Sequence, residues 1–408
     1  MDAFDVPLAL AAGTVLALTL VSGWIKSHMW ASEALVCLAV GMMVGEHGFG
    51  LVHLDPGANE NHLAFVEQFT RITLALSVMS AALSLPSGYH KRNWRSLALI
   101  LVPGTALMWI ASAGLSWLWL DISLLLALLA GAIVTPTDPV LARSIVSGSL
   151  AEKCVPERTR NVITAESGIN DGLALPLVLF PLLLMDQTKD AFTGSFAFLA
   201  WEVAGALALG WVLGKATGWV FKMGHEHGFA ETKSLTATTF ALAMLALASV
   251  SLLGADGILS VFVAGTVLNR AMKKERQESH EHFQDAVDRS LTLPVFILLG
   301  VIAPITQWLE LGWPLLAAAT SLVLLRRLPL FLLLQVMAKP YANMREAAFA
   351  GWFGPIGVAA LFYAAFAARH DASEILRPLI SLTVVLSVVV YGITATPLTK
   401  LYGRQASR

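Results

Sequence analysis

Charge is scarce in this sequence. Only 13% of its 408 residues are Asp, Glu, Lys or Arg and 56% are hydrophobic, where a soluble domain has about 25% and about 45–50%. An ordinary soluble protein is excluded. Neither sign is in excess, with 27 Lys and Arg against 28 Asp and Glu, so there is no basic surface for a phosphate backbone and no nucleic-acid partner is expected. Cysteine is almost absent. Cys37 and Cys154 belong to no CxxC or Cys/His cluster, which argues against a disulfide scaffold and a structural zinc. The metalloprotease HExxH pattern is missing too: His225-Glu226-His227 and His280-Glu281-His282 have the wrong spacing to share a helix face on zinc, and no GxSG serine motif occurs. No enzyme is expected.

What the chain has is length and hydropathy. With a mean hydropathy of +0.69 and about 20 apolar residues needed per bilayer-spanning helix, it has room for a dozen or more spans. Residues 1–6 lack a basic leader, so the first apolar run, 7–24, reads as a transmembrane helix and not as a cleaved signal. Further runs follow at 30–46, 62–85, 95–119, 122–147, 160–185, 194–221, 233–253, 256–270, 290–306, 313–338, 345–369 and 374–400. The expectation is an all-α polytopic membrane protein of about 13 transmembrane helices. Alternate connections, with the C-terminal tail, hold 20 Lys and Arg, and the other set holds only Lys189, Arg369 and Arg377. Because cytoplasmic loops carry the excess, the N-terminus is placed outside and the C-terminus in the cytoplasm. The longest polar stretch, Lys273 to Arg289, reads as a solvated cytoplasmic connection.

Ionisable groups inside such runs are costly and mark a pathway or a pair. The fifth run contains Thr135-Pro136-Thr137-Asp138-Pro139. Two prolines three apart cannot continue a helical ladder, so this helix is expected to break within the membrane, with Asp138 and the Thr137 carbonyl at the break. Broken helices of this kind expose carbonyls and half-helix ends to ions in transporters; a kink with Asp138 only capping the second half-helix is the plainer alternative. The sixth run contains Glu166-Ser167-Gly168-Ile169-Asn170-Asp171-Gly172. Ser167 and Asp171 lie on one helical face, Glu166 and Asn170 on the neighbouring stripe, and the two glycines allow another helix to come close. Desolvation disfavours a charged carboxylate, so a proton and a monovalent cation would compete for the oxygens of Asp171. With Asp138, Thr137 and Ser167 it forms a set of hard oxygen donors suited to an alkali ion. A polar lock between helices is the alternative for Glu166 and Asn170.

Seven runs after the broken fifth, the twelfth carries Gly351-Trp352-Phe353-Gly354-Pro355-Ile356-Gly357, which also breaks a helix. Corresponding breaks point to inverted repeats: a single transporter domain, 1–408, made of a first repeat at about 1–185, a linker helix at 194–222 and a second repeat at 233–401. The two broken helices would cross through Pro136, Pro139, Gly354, Pro355 and Gly357. The same offset relates the fourth run to the eleventh, whose Arg326 and Arg327 offer a partner for Glu166, since either charge buried alone is costly. Helical spacing leaves open which arginine pairs. Asp256, within Gly254-Ala255-Asp256-Gly257, reads as a helix cap.

Thr137 to Ala142 and Glu166 to Gly172, in this order and in adjacent runs, resemble the two core motifs of the monovalent cation/proton antiporters of the sodium/proton exchanger superfamily, and the likeness extends through Phe69-Thr70-Arg71, Trp94 to Leu97, Leu259 to Gly265 and Phe353 to Gly357. The sequence is most similar to the fungal plasma-membrane sodium/proton antiporters and their bacterial relatives. The resemblance implies a homodimer in a plasma or inner membrane, with a core domain moving like an elevator against a dimerisation domain. It implies Asp171 as carrier of cation and proton, Asp138, Ser167 and Thr137 as further Na⁺ ligands, Asn170 as a further residue of the cation- and proton-binding set, and a salt bridge from Glu166 to the eleventh run. No cofactor is implied beyond the transported Na⁺ and H⁺. Asn170, where the electrogenic branch has Asp, resembles the electroneutral branch. Ser84-Leu85-Pro86 stands where the fungal members usually carry Glu-Leu-Pro. A cation channel or proton-independent transporter on the same scaffold is the rival, separated from an exchanger by proton coupling.

Overall fold

Helix starts in this chain follow its small polar residues. In the computed structural model, which describes residues 9, 12–17, 32–185, 193–226, 235–271, 287–370 and 372–406, Ser32, Asn59, Ser123, Asp138, Asp256 and Asn343 each accept a main-chain N–H from the first turn of the helix that follows. Such a side chain satisfies a donor that the helical ladder leaves unpaired. The predicted first run and the stretch at 273–289 lie largely outside the described residues.

The order is α1 (Glu33–Val44), α2 (Glu60–Ser84), the short Trp94–Leu99 leading through a π-turn at Ile100–Gly104 into α3 (Thr105–Trp119), α4 (Leu124–Val134), α5 (Pro139–Val146), α6 (Glu157–Met185) and α7 (Thr193–Glu226). There follow α8 (Leu235–Leu252), α9 (Gly257–Ala271), α10 (Leu293–Val301), α11 (Ile305–Leu325), α12 (Leu328–Ala338), α13 (Met344–Trp352), α14 (Val358–Ala368) and α15 (Leu376–Ala406). Among the described residues all regular structure is helical. Among the described residues five helical stretches are long and apolar enough to cross a membrane, six when the bent pair α4 and α5 is one span, and several shorter apolar helices stand beside them.

The fifth run breaks where its prolines require: α4 and α5 are bent by 42° across residues 135–138. The twelfth breaks between Trp352 and Val358. One break was not anticipated. The predicted continuous eleventh run, 313–338, divides at Arg326 and Arg327 into α11 and α12, because both guanidinium groups turn into the interior and Pro329 in the first turn of α12 supplies no ladder donor. Gly312, at φ +61°, puts a further kink inside α11, a conformation natural to glycine.

Small residues set the closest helix contacts. A Cβ at Gly210 of α7 would lie 2.6 Å from the Ser260 carbonyl oxygen of α9, and one at Gly214 2.7 Å from that of Ala264. On α6, a Cβ at Gly168 would lie 2.9 Å from the Phe262 ring and one at Gly172 3.1 Å from Leu259 Cα. These glycines bring α6 and α7 against opposite sides of α9, as expected for helices packed without a hydrophobic drive between them. Connections assigned to one side by the Lys/Arg split meet at one end of the bundle: Asp55 reaches Arg377 at 2.9 Å, and at the other end Thr159 donates to Glu346 at 3.0 Å.

Candidate cation and proton site

The two broken helices cross, and their four half-helix ends meet. Ends of like sign lie together. The Asp138 main-chain N–H donates to the Pro355 carbonyl at 2.8 Å, tying one break to the other. Asp138 Oδ1 accepts from the N–H groups of Val140 and Leu141 at 2.8 and 3.1 Å, and Oδ2 from Val358 at 2.8 Å. One carboxylate thus caps the N-termini of both α5 and α14, where the helix dipoles favour negative charge. Gly357 leaves the space this needs, since a Cβ there would collide with that carboxyl. Pro136 lies in the break and Pro139 at the first position of α5, where its missing donor costs nothing.

Arg326 performs the opposite task. Its Nη1 donates to the Thr135 carbonyl at 3.0 Å and its Nη2 to the Gly354 carbonyl at 2.6 Å, so a fully buried cation sits on the C-terminal ends of α4 and α13. It is not the partner of Glu166. That partner is Arg327, which forms a two-armed ion pair with both carboxylate oxygens, adds the Ala350 carbonyl at 3.0 and 3.1 Å and lays its guanidinium 4.1 Å from the Phe331 ring centroid. Gly354 makes room here, as its Cβ would strike the Arg327 side chain. The pairing left open by spacing is decided by the break itself, which turns one arginine to the half-helix ends and the other to α6.

Thr137, Ser167 and Asn170 form a small network. Asn170 Nδ2 donates to Thr137 Oγ1 at 2.9 Å, the Thr137 N–H to Asn170 Oδ1 at 3.3 Å, and the Thr137 and Ser167 hydroxyls share a bond of 3.1 Å. Asp171, one turn beyond Ser167, is 0% exposed, and neither carboxyl oxygen has a hydrogen-bond partner. An isolated carboxylate out of water is among the most expensive groups to bury, so this one requires a proton or a cation. The Tyr363 hydroxyl of α14 donates to the Asp171 main-chain carbonyl at 3.1 Å. Tyr363 was missed, although it is the one polar side chain between Val358 and Ala368.

The model of the family described as sodium/hydrogen exchanger, transmembrane, matches residues 11–401. The chain belongs to this family. Among its relatives, a probable Na⁺/H⁺ antiporter of Schizosaccharomyces pombe is 29% identical over 90% of this chain and 52% of its own length. The Na⁺/H⁺ antiporter 2 of Zygosaccharomyces rouxii is 31% identical over 85% of this chain and 44% of its own. The chain spans about half the length of these two. The solved structure of the sodium proton antiporter MjNhaP1 from Methanocaldococcus jannaschii superposes with a TM-score of 0.75, covering 97% of this chain and 98% of that one at 16% identity, which establishes a shared fold.

A cavity of about 20 Å³ leads towards the site from one end. It is lined by Ser77, Ser80 and Ser84 of α2, Pro139 and Val140 of α5, and Thr164 and Ser167 of α6, among others. That is enough for one water. The Ser77 and Ser80 hydroxyls are buried without a partner, and Ser84 is exposed at the mouth. The departure at Ser84 therefore falls on the approach to Ser167.

Proposed function

We propose that the chain is a secondary active antiporter that exchanges Na⁺ for H⁺ by competition of the two at Asp171, electroneutrally and with alternating access. The observation that carries this reading is the Asp171 carboxyl, buried in a family of cation/proton exchangers with both oxygens unpartnered. Crossing the membrane with neither ligand would leave an uncompensated buried charge, so the carrier moves protonated or loaded and the two fluxes are coupled. Ser167 and the Thr137 carbonyl join as ligands, and Asp138, three of whose roughly four acceptor positions are taken by N–H groups, offers the remaining one. Asn170 holds Thr137 in place. The residues serve binding and translocation, and we read the chain as a carrier and not an enzyme.

The Lys/Arg distribution supports an outside N-terminus and a cytoplasmic C-terminus, which puts the hydroxyl-lined cavity on the cytoplasmic side. About 13 spans in two inverted repeats, a cell membrane location and a homodimer complete the proposal. The test is transport in liposomes carrying an internal pH dye and an imposed proton gradient, with Na⁺, Li⁺ and K⁺ added in turn from about pH 6 to 9. Wild type is expected to dissipate the gradient on cation addition and Asp171→Asn is not. Proton movement without cation dependence, or a fully active variant, overturns the assignment; cation flux without protons favours a channel.

A further inference from the structure

At the end of the bundle away from the hydroxyl-lined cavity, buried charges gather that the exchange site does not use. Glu202 of α7 is 6% exposed and Asp256, the cap of α9, is 0% exposed. The two are joined through the backbone, the Asp256 N–H donating to the Glu202 carbonyl at 3.1 Å. Asp256 Oδ1 accepts from Ile258 and Leu259 at 2.8 and 3.0 Å. Its Oδ2 has no partner, and neither does Glu202 Oε2. Each helix packed around them contributes to the charge balance. From α2 come Glu67 and Arg71, from α14 Tyr363 and Arg369, from α6 Asp171, and from α8 only the uncharged Ser251. Glu67 is already paired with Arg369 at 3.0 Å. Arg71 donates to Ser251 Oγ at 2.8 Å and to Gln68 Oε1 at 3.4 Å, with the charges of Glu67 and, more weakly, Asp256 acting on it. The Asp256 carboxyl therefore lies near a guanidinium that no carboxylate bonds directly, and near the Glu202 carboxyl as well. A second ionised carboxyl would be an uncompensated buried charge, and two nearby carboxylates cannot readily both ionise.

We propose that Glu202 and Asp256 form a second proton-binding site, holding one proton between them, on the route from Asp171 to the face where residues 253–256 lie. The Tyr363 hydroxyl, bonded to the Asp171 carbonyl, is within electrostatic reach of Asp171, Asp256 and Glu202 alike. A proton leaving Asp171 towards this face is taken up by the ionised carboxylate of the pair as the proton already held by the other is lost to water as H⁺, which keeps one proton on the pair; inward transfer is the reverse. The inference rests on the exchange reading above for its role in transport, but the proton itself is observable without transport.

The experiment uses the full chain carrying Asp171→Asn, so that Asp171 cannot contribute, and follows the infrared C=O band of protonated carboxyl groups through a pH titration. Asparagine at 256 keeps the cap through its side-chain carbonyl. At neutral pH the band is expected in Asp171→Asn, and it is expected to vanish on adding either Glu202→Gln or Asp256→Asn, because the remaining carboxylate then has no second negative charge beside it. Either of these two substitutions alone, with Asp171 intact, should also shift the exchange profile by about one unit when pH is varied on the face of residues 253–256, in vesicles of known orientation. A band that neither addition removes, or a profile superimposable on wild type, overturns the proposal. If wild type exchanges nothing, the transport reading fails and the infrared result still decides on the proton.

Discussion

Asp138 and Asp171 are both buried acids, yet the structure treats them oppositely. Asp138 receives three N–H groups from two helices, and its counterpart Arg326 covers the two carbonyl ends. Asp171 receives none. The crossing is an electrostatically closed unit in which each helix end meets the opposite charge, and Asp171 has been left out of it. This difference separates charge that holds the site together from charge available to a ligand, and it can be broken from either side.

The largest contrast is between removing each acid. Asp171→Asn is expected to abolish exchange while leaving thermal stability equal to wild type or higher, since no bond is lost. Asp138→Ala is expected to lose both, because three buried donors at two helix N-termini are stranded, each costing about 1–3 kcal/mol. Melting of the purified protein beside transport measures this; an Asp171→Asn protein that melts well below wild type would show that the carboxyl is structural after all.

Next comes the ion pair that flanks the crossing. Glu166→Ala or Arg327→Ala leaves the other charge buried and alone, which costs about 3–5 kcal/mol. The paired replacement Glu166→Leu with Arg327→Met should recover much of the loss in melting temperature. Recovery stays incomplete because Arg327 also serves the Ala350 carbonyl. Additive losses in the double variant would mean that the two groups do not act as a unit.

A smaller effect is expected from Gly357→Ala. The added methyl enters the space of the Asp138 carboxyl, and such overpacking costs about 1–3 kcal/mol. The melting temperature should fall, and fall less when Gly357→Ala is made together with Asp138→Ala, where the obstructed carboxyl is gone. Some loss remains there, because the methyl would also lie 2.8 Å from the Asp138 Cβ; equal losses in both backgrounds would place the clash on that Cβ and not on the carboxyl.

These contrasts also show what a sequence carries. The breaks in α4–α5 and α13–α14 are legible because proline and glycine act on the backbone locally, wherever the chain goes next. So are the stripes of α6 and the role of Asp256 as a cap. The break at Arg326 and Arg327 is legible only in part: Pro329 marks it locally, but the inward turn of the guanidinium groups depends on carbonyl ends that arrive from α4 and α13. For the same reason spacing left the partner of Glu166 open. Ser77 and Ser80 read as ordinary small residues in an apolar run, and Glu202 stands in its run with no motif around it. Their meaning comes from neighbours on other helices, which only the packed bundle supplies.

The weakest expected effect lies outside the membrane-spanning part, where water offers every charge a partner. Asp55, in the connection before α2, is bound to Arg377 at the start of α15 at 2.9 Å. Slight burial raises its carboxyl, but the Gly57 N–H and the Arg377 guanidinium outweigh this and hold it below its ordinary value. A depressed carboxyl contributes stability that is present above the ordinary value of about 3.9 and lost as pH falls through the folded one. The half-exposed Asp55 side chain limits the gain to about 0–1 kcal/mol. Asp55→Asn should therefore melt slightly below wild type at neutral pH, and the gap should close on acidification and with added salt. A loss as large as that of Glu166→Ala would erase the distinction between wet and buried charge on which the reading of Asp171 depends.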